Sequence, residues 1–410
     1  MLSMIYHRSR GDGSPISVAL LGVLLAASAV DVSAQATIAS GGLAHVNRLW
    51  ETLIEEDSFE VEYKACAVSP KDDSVWLVLG RRPALMMTGP QTLALRVLDR
   101  AGKTLSEKSL ESLAKSAGLS PAPDQFIDIA AMLDGTMAIL FSSGGQLSVV
   151  TVDGRHRVTQ GRNIGALRPE LFITRAQPTP AGNLLLLGRL GDRAIAIKLD
   201  QNLSVRWEKM TSPEDASLFL DGALFGDESF TLIGARSRGS GASTEIMLWL
   251  GQIDREGQIK NSLSLPGRFP SLAASPDGAC AIVAADATSQ GLDFWFKIYD
   301  RNLKELWNSK LVSGTRDFQP FRLSYLSQTT SDFFIVGSLK RHLWLSRVHA
   351  GTALLWSDTL TEQSGSMPEL VWNFGLKPST RGMVIPYTDM VVNKKMQQRQ
   401  VVKVMVVDTH

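Results

Sequence analysis

Few side chains in this sequence have the type and spacing that chemistry requires. Its six histidines are His7, His45, His156, His342, His349 and His410, scattered with no ligand spacing. Cys66 and Cys280 have no neighbouring His or Cys that could complete a metal set. The chain has no His-Glu-x-x-His helix, no Gly-x-Ser-x-Gly elbow, no phosphate-binding Gly-Lys-Ser/Thr loop and no calcium loop. No metal and no cofactor is expected. What remains is a set of polar residues at matching places in successive segments: Glu62, Asp128, Arg175, Asp221, Ser271, Arg322 and Asn373. Brought together, carboxylates beside guanidiniums could bind a polar ligand, or act as general acid and base.

These positions correspond because the sequence repeats. One phrase recurs, an apolar run, then Asp, then Gly or Asn, then a second run that often carries Trp. It reads LALRVLDRAGKTLSEKSL, LSVVTVDGRHRVTQG, AIAIKLDQNLSVRWEKM, LWLGQIDREGQIKNSLSL, FWFKIYDRNLKELWNSKL, LWLSRVHAGTALLWSDTL and finally VVKVMVVDTH. The anchors Asp99, Asp153, Asp200, Asp254, Asp300, His349 and Asp408 lie about fifty residues apart, a spacing for units of four strands. An apolar run of this length suits a strand covered on both faces. The Asp closes a tight turn, and Gly102, Asn202, Gly257, Asn302 and Gly351 are expected to accept the positive φ that follows. Ahead of each phrase lies another hairpin, as in FIDIAAMLDGTMAILFSS and FPSLAASPDGACAIVAAD. ESLAKSAG from Glu111 reads as a short helical turn between the first two units.

The last unit has only three strands. Residues 43–54, LAHVNRLWETLI, match the outer-strand phrase and put Trp50 where Trp207, Trp307 and Trp356 fall. Pairing this strand with the last unit would close the repeats into a ring and remove their exposed edges. Together the repeats resemble secreted bacterial β-propeller proteins, a resemblance that covers nearly all of the chain beyond its first residues. It implies an all-β fold: a single seven-bladed β-propeller of four-stranded blades, closed by an N-terminal strand completing the last blade. The expected blades run approximately over 60–110, 126–163, 172–210, 217–265, 269–311, 318–360 and 367–410. The polar set would then line the central channel, while the tryptophans would cover seams between blades, far from the axis. Cys66 and Cys280 would fall in non-adjacent blades as separate buried thiols.

Composition places the protein and limits its partners. The chain of 410 residues carries 42 Lys+Arg against 41 Asp+Glu, a net charge of +1. No basic patch for nucleic acid is expected. Residues 1–34 read as a signal peptide: His7, Arg8 and Arg10 precede the apolar run Ile16 to Val30, and Val32-Ser33-Ala34 offers a cleavage site. The expectation is an exported chain, 35–410, periplasmic or extracellular, monomeric, with no membrane span after cleavage. Two loops stand out. Leu85, Met86 and Met87 make an apolar, adaptable tip that suits a partner contact or, equally, folds back over a blade edge. NKKMQQRQ from Asn393 is basic and solvated. The leading functional expectation is a binding or scaffold module for a protein or glycan. The alternative is a hydrolase or lyase with Asp128, Asp221 and an arginine at the channel mouth. Inward side chains that merely pair with each other and with water are the plainer account of the polar set, and it is preferred.

Overall fold

The computed structural model describes residues 46–408 apart from 57, 85–90, 121–122, 165–169, 212–215, 239–244, 276–277, 316–321, 327–331, 340–341, 350–352, 361–371 and 393–397. The proposed signal peptide, the Leu85–Met87 tip and the core of the 393 loop lie outside these residues. The fold is an all-β propeller. Six blades are four-stranded antiparallel meanders, spanning 59–109, 125–163, 171–210, 218–266, 268–315 and 322–359. Among the described residues there is one helix, Leu110–Ser116, capped by the Ser109 side chain, between the first two blades.

The expectation of seven four-stranded blades is corrected here. Six blades have that form, and the remaining sheet is a five-stranded composite. Its order runs Asn47–Ile54, Gln398–Asp408, Gly382–Val392 and Trp372–Phe374, with Lys377–Ser379 also pairing Gly382–Val392. Its innermost strand is split in two because Pro386 sits opposite the break. Proline has no N–H to donate to a ladder, and only its carbonyl is used, accepting from Gly375 N at 2.9 Å. On the outer side, Asn47–Ile54 pairs antiparallel with Gln398–Asp408, from Asn47 opposite Asp408 to Ile54 opposite Val402. The N-terminal strand therefore does complete this sheet.

Every sheet is apolar on both faces, so stability comes from the seams. Trp76, Val78, Ile139 and Phe141 fill the seam between the first and second blades. Leu185, Leu187, Phe219 and Trp249 fill that between the third and fourth. The circuit closes where Ile54, Val404 and Val406 of the composite sheet meet Val61, Cys66 and Leu77 of the first blade. Burial of one such side chain is worth roughly 1.5–3 kcal/mol. Two outer-strand tryptophans reach across a seam to the next sheet's turn. Trp207 Nε1 donates to Arg255 O at 3.2 Å and its ring lies against Gly257 of the fourth blade. Trp50 of the composite sheet packs the same way against Gly102 of the first blade.

The repeated turn works as anticipated in one respect and not in another. The anchor carboxylate accepts two backbone N–H groups: Asp200 Oδ1 from Asn202 at 2.9 Å and Ser204 at 2.8 Å, and Asp300 Oδ1 from Asn302 and Lys304, both at 2.8 Å. The positive φ falls three residues after the anchor, at Gly102 and Gly257 as expected but at His156, Leu203 and Leu303 in the other blades, while Gly351 lies outside the described residues. Asn202 and Asn302 are not the left-handed residues, because the loop is a type I turn followed by one left-handed residue and not a two-residue turn. Leu203 tolerates φ 58° because its side chain is buried in the seam. Asn202→Ala should therefore shift the unfolding free energy by no more than about 0.5 kcal/mol. Gly257→Ala, at φ 84°, should cost about 1 kcal/mol or more. Urea denaturation of the two variants checks the assignment.

Candidate functional site

The inner strands face the axis, and a β-bulge re-aims a side chain in most of them. Shifts in pairing register fall between Tyr63 and Ala65, Phe126 and Asp128, Ile173 and Arg175, Phe219 and Asp221, and Arg268 and Ser271. An extra residue in one strand bends it locally, so the residue just past the bulge occupies one recurrent position. Asp128, Arg175, Asp221 and Ser271 share it, and Arg322 matches it by pairing with Val336. Consecutive inner strands touch each other around the circuit, including Arg322–Leu326 against Lys377–Ser379 and Lys377–Ser379 against Phe59–Val68.

Two of the expected positions are displaced. Glu62 precedes its bulge and pairs opposite Gly80, so Ala65 holds the recurrent position in the first blade. The Glu62 carboxylate instead accepts from Lys64 Nζ at 2.8 Å and Gln91 Nε2 at 3.1 Å. Asn373 is itself the bulge residue of the composite sheet, and its side chain lies outside the described set. Gly375 takes the recurrent place there. A Cβ on Gly375 would collide with the Tyr63 hydroxyl, which explains why this position carries no side chain.

The two carboxylates are engaged by backbone. Asp128 Oδ1 accepts from Ile129 N at 2.9 Å, and its Oδ2 accepts from Ala176 N of the third blade at 2.9 Å. Asp221 repeats the arrangement two blades on, with Gly222 N at 3.0 Å and Leu272 N of the fifth blade at 3.1 Å. Both residues are buried. Each therefore ties its own inner strand to the next one. Arg175 lies between them, its Nε 3.4 Å from Asp221 Oδ1 and 3.9 Å from Asp128 Oδ2. That Nε makes no hydrogen bond. Burial works against the charge of Arg175, but Asp221 and then Asp128 outweigh it and raise its pKa.

Alignment of the sequence missed the residues contributed by the irregular sheet. Lys377 enters the channel two positions past Gly375, opposite Val384. Its pKa is lowered by burial and then by the charge of Arg175, and Arg322 is lowered by the same two causes in the same order. Cys66 and Tyr63 stand nearby, and burial is the first cause that pushes the Cys66 thiol and the Tyr63 hydroxyl up. Both cysteines are free and buried. The pairing register is the same on both sides of the break, Phe374 opposite Tyr387 and Lys377 opposite Val384, so Lys377 follows two residues after the recurrent position. Among the described residues, no group of three His, Cys, Asp or Glu could hold a metal ion, and no helix is long and apolar enough to cross a membrane.

No family model matches this chain, and no curated protein matches it in sequence. Solved structures do match in fold. A polysaccharide lyase, Uly1, superposes with a TM-score of 0.51 at 11% identity, over 84% of this chain and 90% of that one. Drosophila Plexin A in complex with Semaphorin 1b gives a TM-score of 0.47 at 7% identity, over 89% and 88%. Prolyl oligopeptidase B from Galerina marginata gives 0.45 at 10% identity, over 80% of this chain and 47% of that chain, so this chain spans about half of that enzyme's length. At these identities the likeness is one of fold alone.

The carboxylates' role has a measurable consequence. Asp221→Ala leaves the amide N–H groups of Gly222 and Leu272 without their acceptor, and should lower the unfolding free energy by about 2 kcal/mol. Glu62→Ala, which removes a partly exposed ion pair and the hydrogen bond from Gln91, should cost about 1 kcal/mol, less than Asp221→Ala. Equilibrium denaturation of both variants makes the comparison.

Proposed function

We propose that this protein is a binding propeller, a module that holds a ligand or a protein or glycan partner and performs no hydrolysis or elimination. The observation that carries this reading is the state of Asp128 and Asp221. A general acid or base must come within hydrogen-bond reach of substrate, and both of these side chains are buried. Each oxygen of these two carboxylates already accepts a backbone N–H, and Arg175 lies against both. The hydrolase or lyase alternative drew on these same residues, and nothing in their geometry favours it. The fold shared with a polysaccharide lyase lends it no residue.

The remaining parts of the proposal rest on sequence. Export to the periplasm or beyond follows from the signal-like residues 1–34, and a monomer follows from a ring that satisfies its own edges. The Leu85, Met86 and Met87 tip is offered as the partner contact on its composition. The composite sheet is counted as a seventh blade, a reading supported by the apolar seams it shares with its two neighbours.

The test is a turnover assay on panels of polysaccharide, glycoside, ester and peptide substrates, run beside native mass spectrometry of the purified protein. The expected result is no turnover and a bound molecule or partner in the native spectra. Turnover that falls by about a hundredfold, roughly 2.7 kcal/mol in the barrier, in folded Asp128→Asn and Asp221→Asn variants would contradict the proposal.

A further inference from the structure

One asparagine of the chain, Asn202, has a serine or threonine two residues on, in the triplet Asn202-Leu203-Ser204. With a middle residue other than proline, that triplet is the acceptor signature for N-linked glycosylation. It lies in the turn between Arg193–Leu199 and the outer strand Val205–Met210 of the third blade. The fold treats its three residues differently. Leu203 is buried in the seam and takes the left-handed φ. Ser204 is half-buried, and its hydroxyl accepts from Arg162 Nη1 of the second blade at 2.6 Å. Asn202 is exposed and engaged through its backbone alone: its N–H donates to Asp200 Oδ1 at 2.9 Å, and its carbonyl accepts from Gln160 Nε2 at 2.8 Å. Among the described residues its side-chain amide makes no hydrogen bond, so an oligosaccharide on Nδ2 would displace no contact of the fold. The fifth blade holds a matching turn. In Asp300-Arg301-Asn302-Leu303-Lys304 the anchor carboxylate accepts the same two N–H groups, Leu303 has φ 61° against 58° for Leu203, and Asn302 is also exposed. The acceptor signature separates the two turns at one position, where Lys304 has no hydroxyl.

We propose that Asn202 is a site of N-linked glycosylation, taking an oligosaccharide from a polyprenyl-pyrophosphate carrier. The inference rests on the proposed export, since the transfer is made to chains crossing a membrane, and it is independent of what the propeller binds. In the transfer Asn202 Nδ2 bonds to the anomeric carbon of the first sugar. The bond from that carbon to the pyrophosphate oxygen breaks, its electron pair leaves with the polyprenyl pyrophosphate, and Nδ2 gives up one proton to water. Arg162 holds the Ser204 hydroxyl in the folded protein, and buried Leu203 fixes the turn. The acceptor is therefore the chain before its second and third blades have joined. Folding then leaves the modified side chain in solvent, at an outer turn where a bulky, hydrated group costs no packing.

The test is expression of the full chain in a host whose export pathway transfers oligosaccharides to asparagine, read by intact mass and by the mass of the peptide that holds Asn202. The chain is made twice, once with its own residues 1–34 and once with a leader of proven export in their place. The expected result is a gain of one oligosaccharide, at Asn202. Asn202→Gln and Ser204→Ala should each abolish it. Both variants should stay folded, since the first keeps the backbone groups of the turn and the second gives up one hydroxyl on a partly exposed residue. Lys304→Ser should add a second oligosaccharide, at Asn302. An exported chain with Asn202 unmodified overturns the proposal, and so does a mass gain that either variant at the triplet retains. A Lys304→Ser chain without the second oligosaccharide overturns the claim that the hydroxyl separates the two turns. Modification that needs the substituted leader contradicts the export reading and leaves the site standing. The binding reading fails separately, on the turnover assay.

Discussion

A sheet that is apolar on both faces must be covered on both faces, and that constraint governs the whole molecule. No blade here can stand alone. Trp76 and Phe141 share one seam, Leu187 and Phe219 another, and each sheet supplies half of two seams. Such a series is stable only if its ends meet. They meet through the pairing of Asn47–Ile54 with Gln398–Asp408, which sets Ile54, Val404 and Val406 against the first blade. One strand from the start of the described chain thus fixes the last sheet, and through it the seam that closes the circuit.

Closure leaves the inner strands with backbone N–H groups directed at the axis. Water in a narrow channel is one way to satisfy them; side-chain acceptors from the next strand are another. Asp128 and Asp221 take the second course, each spending one oxygen on its own strand and one on its neighbour's. A comparable link joins the composite sheet to the first blade, where Tyr63 N donates to Thr388 Oγ1 at 2.9 Å. Buried donors left without an acceptor cost about 1–3 kcal/mol each, enough to decide the register between blades. Carboxylates buried and placed for this purpose are poor candidates for proton transfer.

Much of this was legible in the sequence, for particular reasons. The anchors from Asp99 to Asp408 repeat because each closes the same turn, and Trp50 announced the closing strand because it must cover Gly102 as Trp207 covers Gly257. Alignment on the hairpin turn placed Asp128, Arg175, Asp221, Ser271 and Arg322 at one position, since bulge and turn are a fixed distance apart in the regular blades. It failed at Glu62 and Asn373. In the first blade the recurrent residue is Ala65, which has no polar group to attract notice. In the composite sheet the recurrent residue is Gly375, which also has no polar side chain, and Lys377 follows two positions on. Gly102 and Gly257 were placed correctly, but in the third and fifth blades the left-handed residue was misplaced by one position, because the Leu that adopts it has its side chain buried, and burial is a tertiary fact.

The central claim is that the axial carboxylates are structural ties between blades. Hydrogen exchange at the amides of Ala176 and Leu272 tests it most directly, read in the wild-type protein and in Asp128→Ala and Asp221→Ala variants, which leave no side-chain acceptor. The account predicts slow exchange at both amides in wild type, with protection lost at Ala176 in the first variant and at Leu272 in the second. Fast exchange at both amides in wild type, or protection that neither substitution changes, would contradict it.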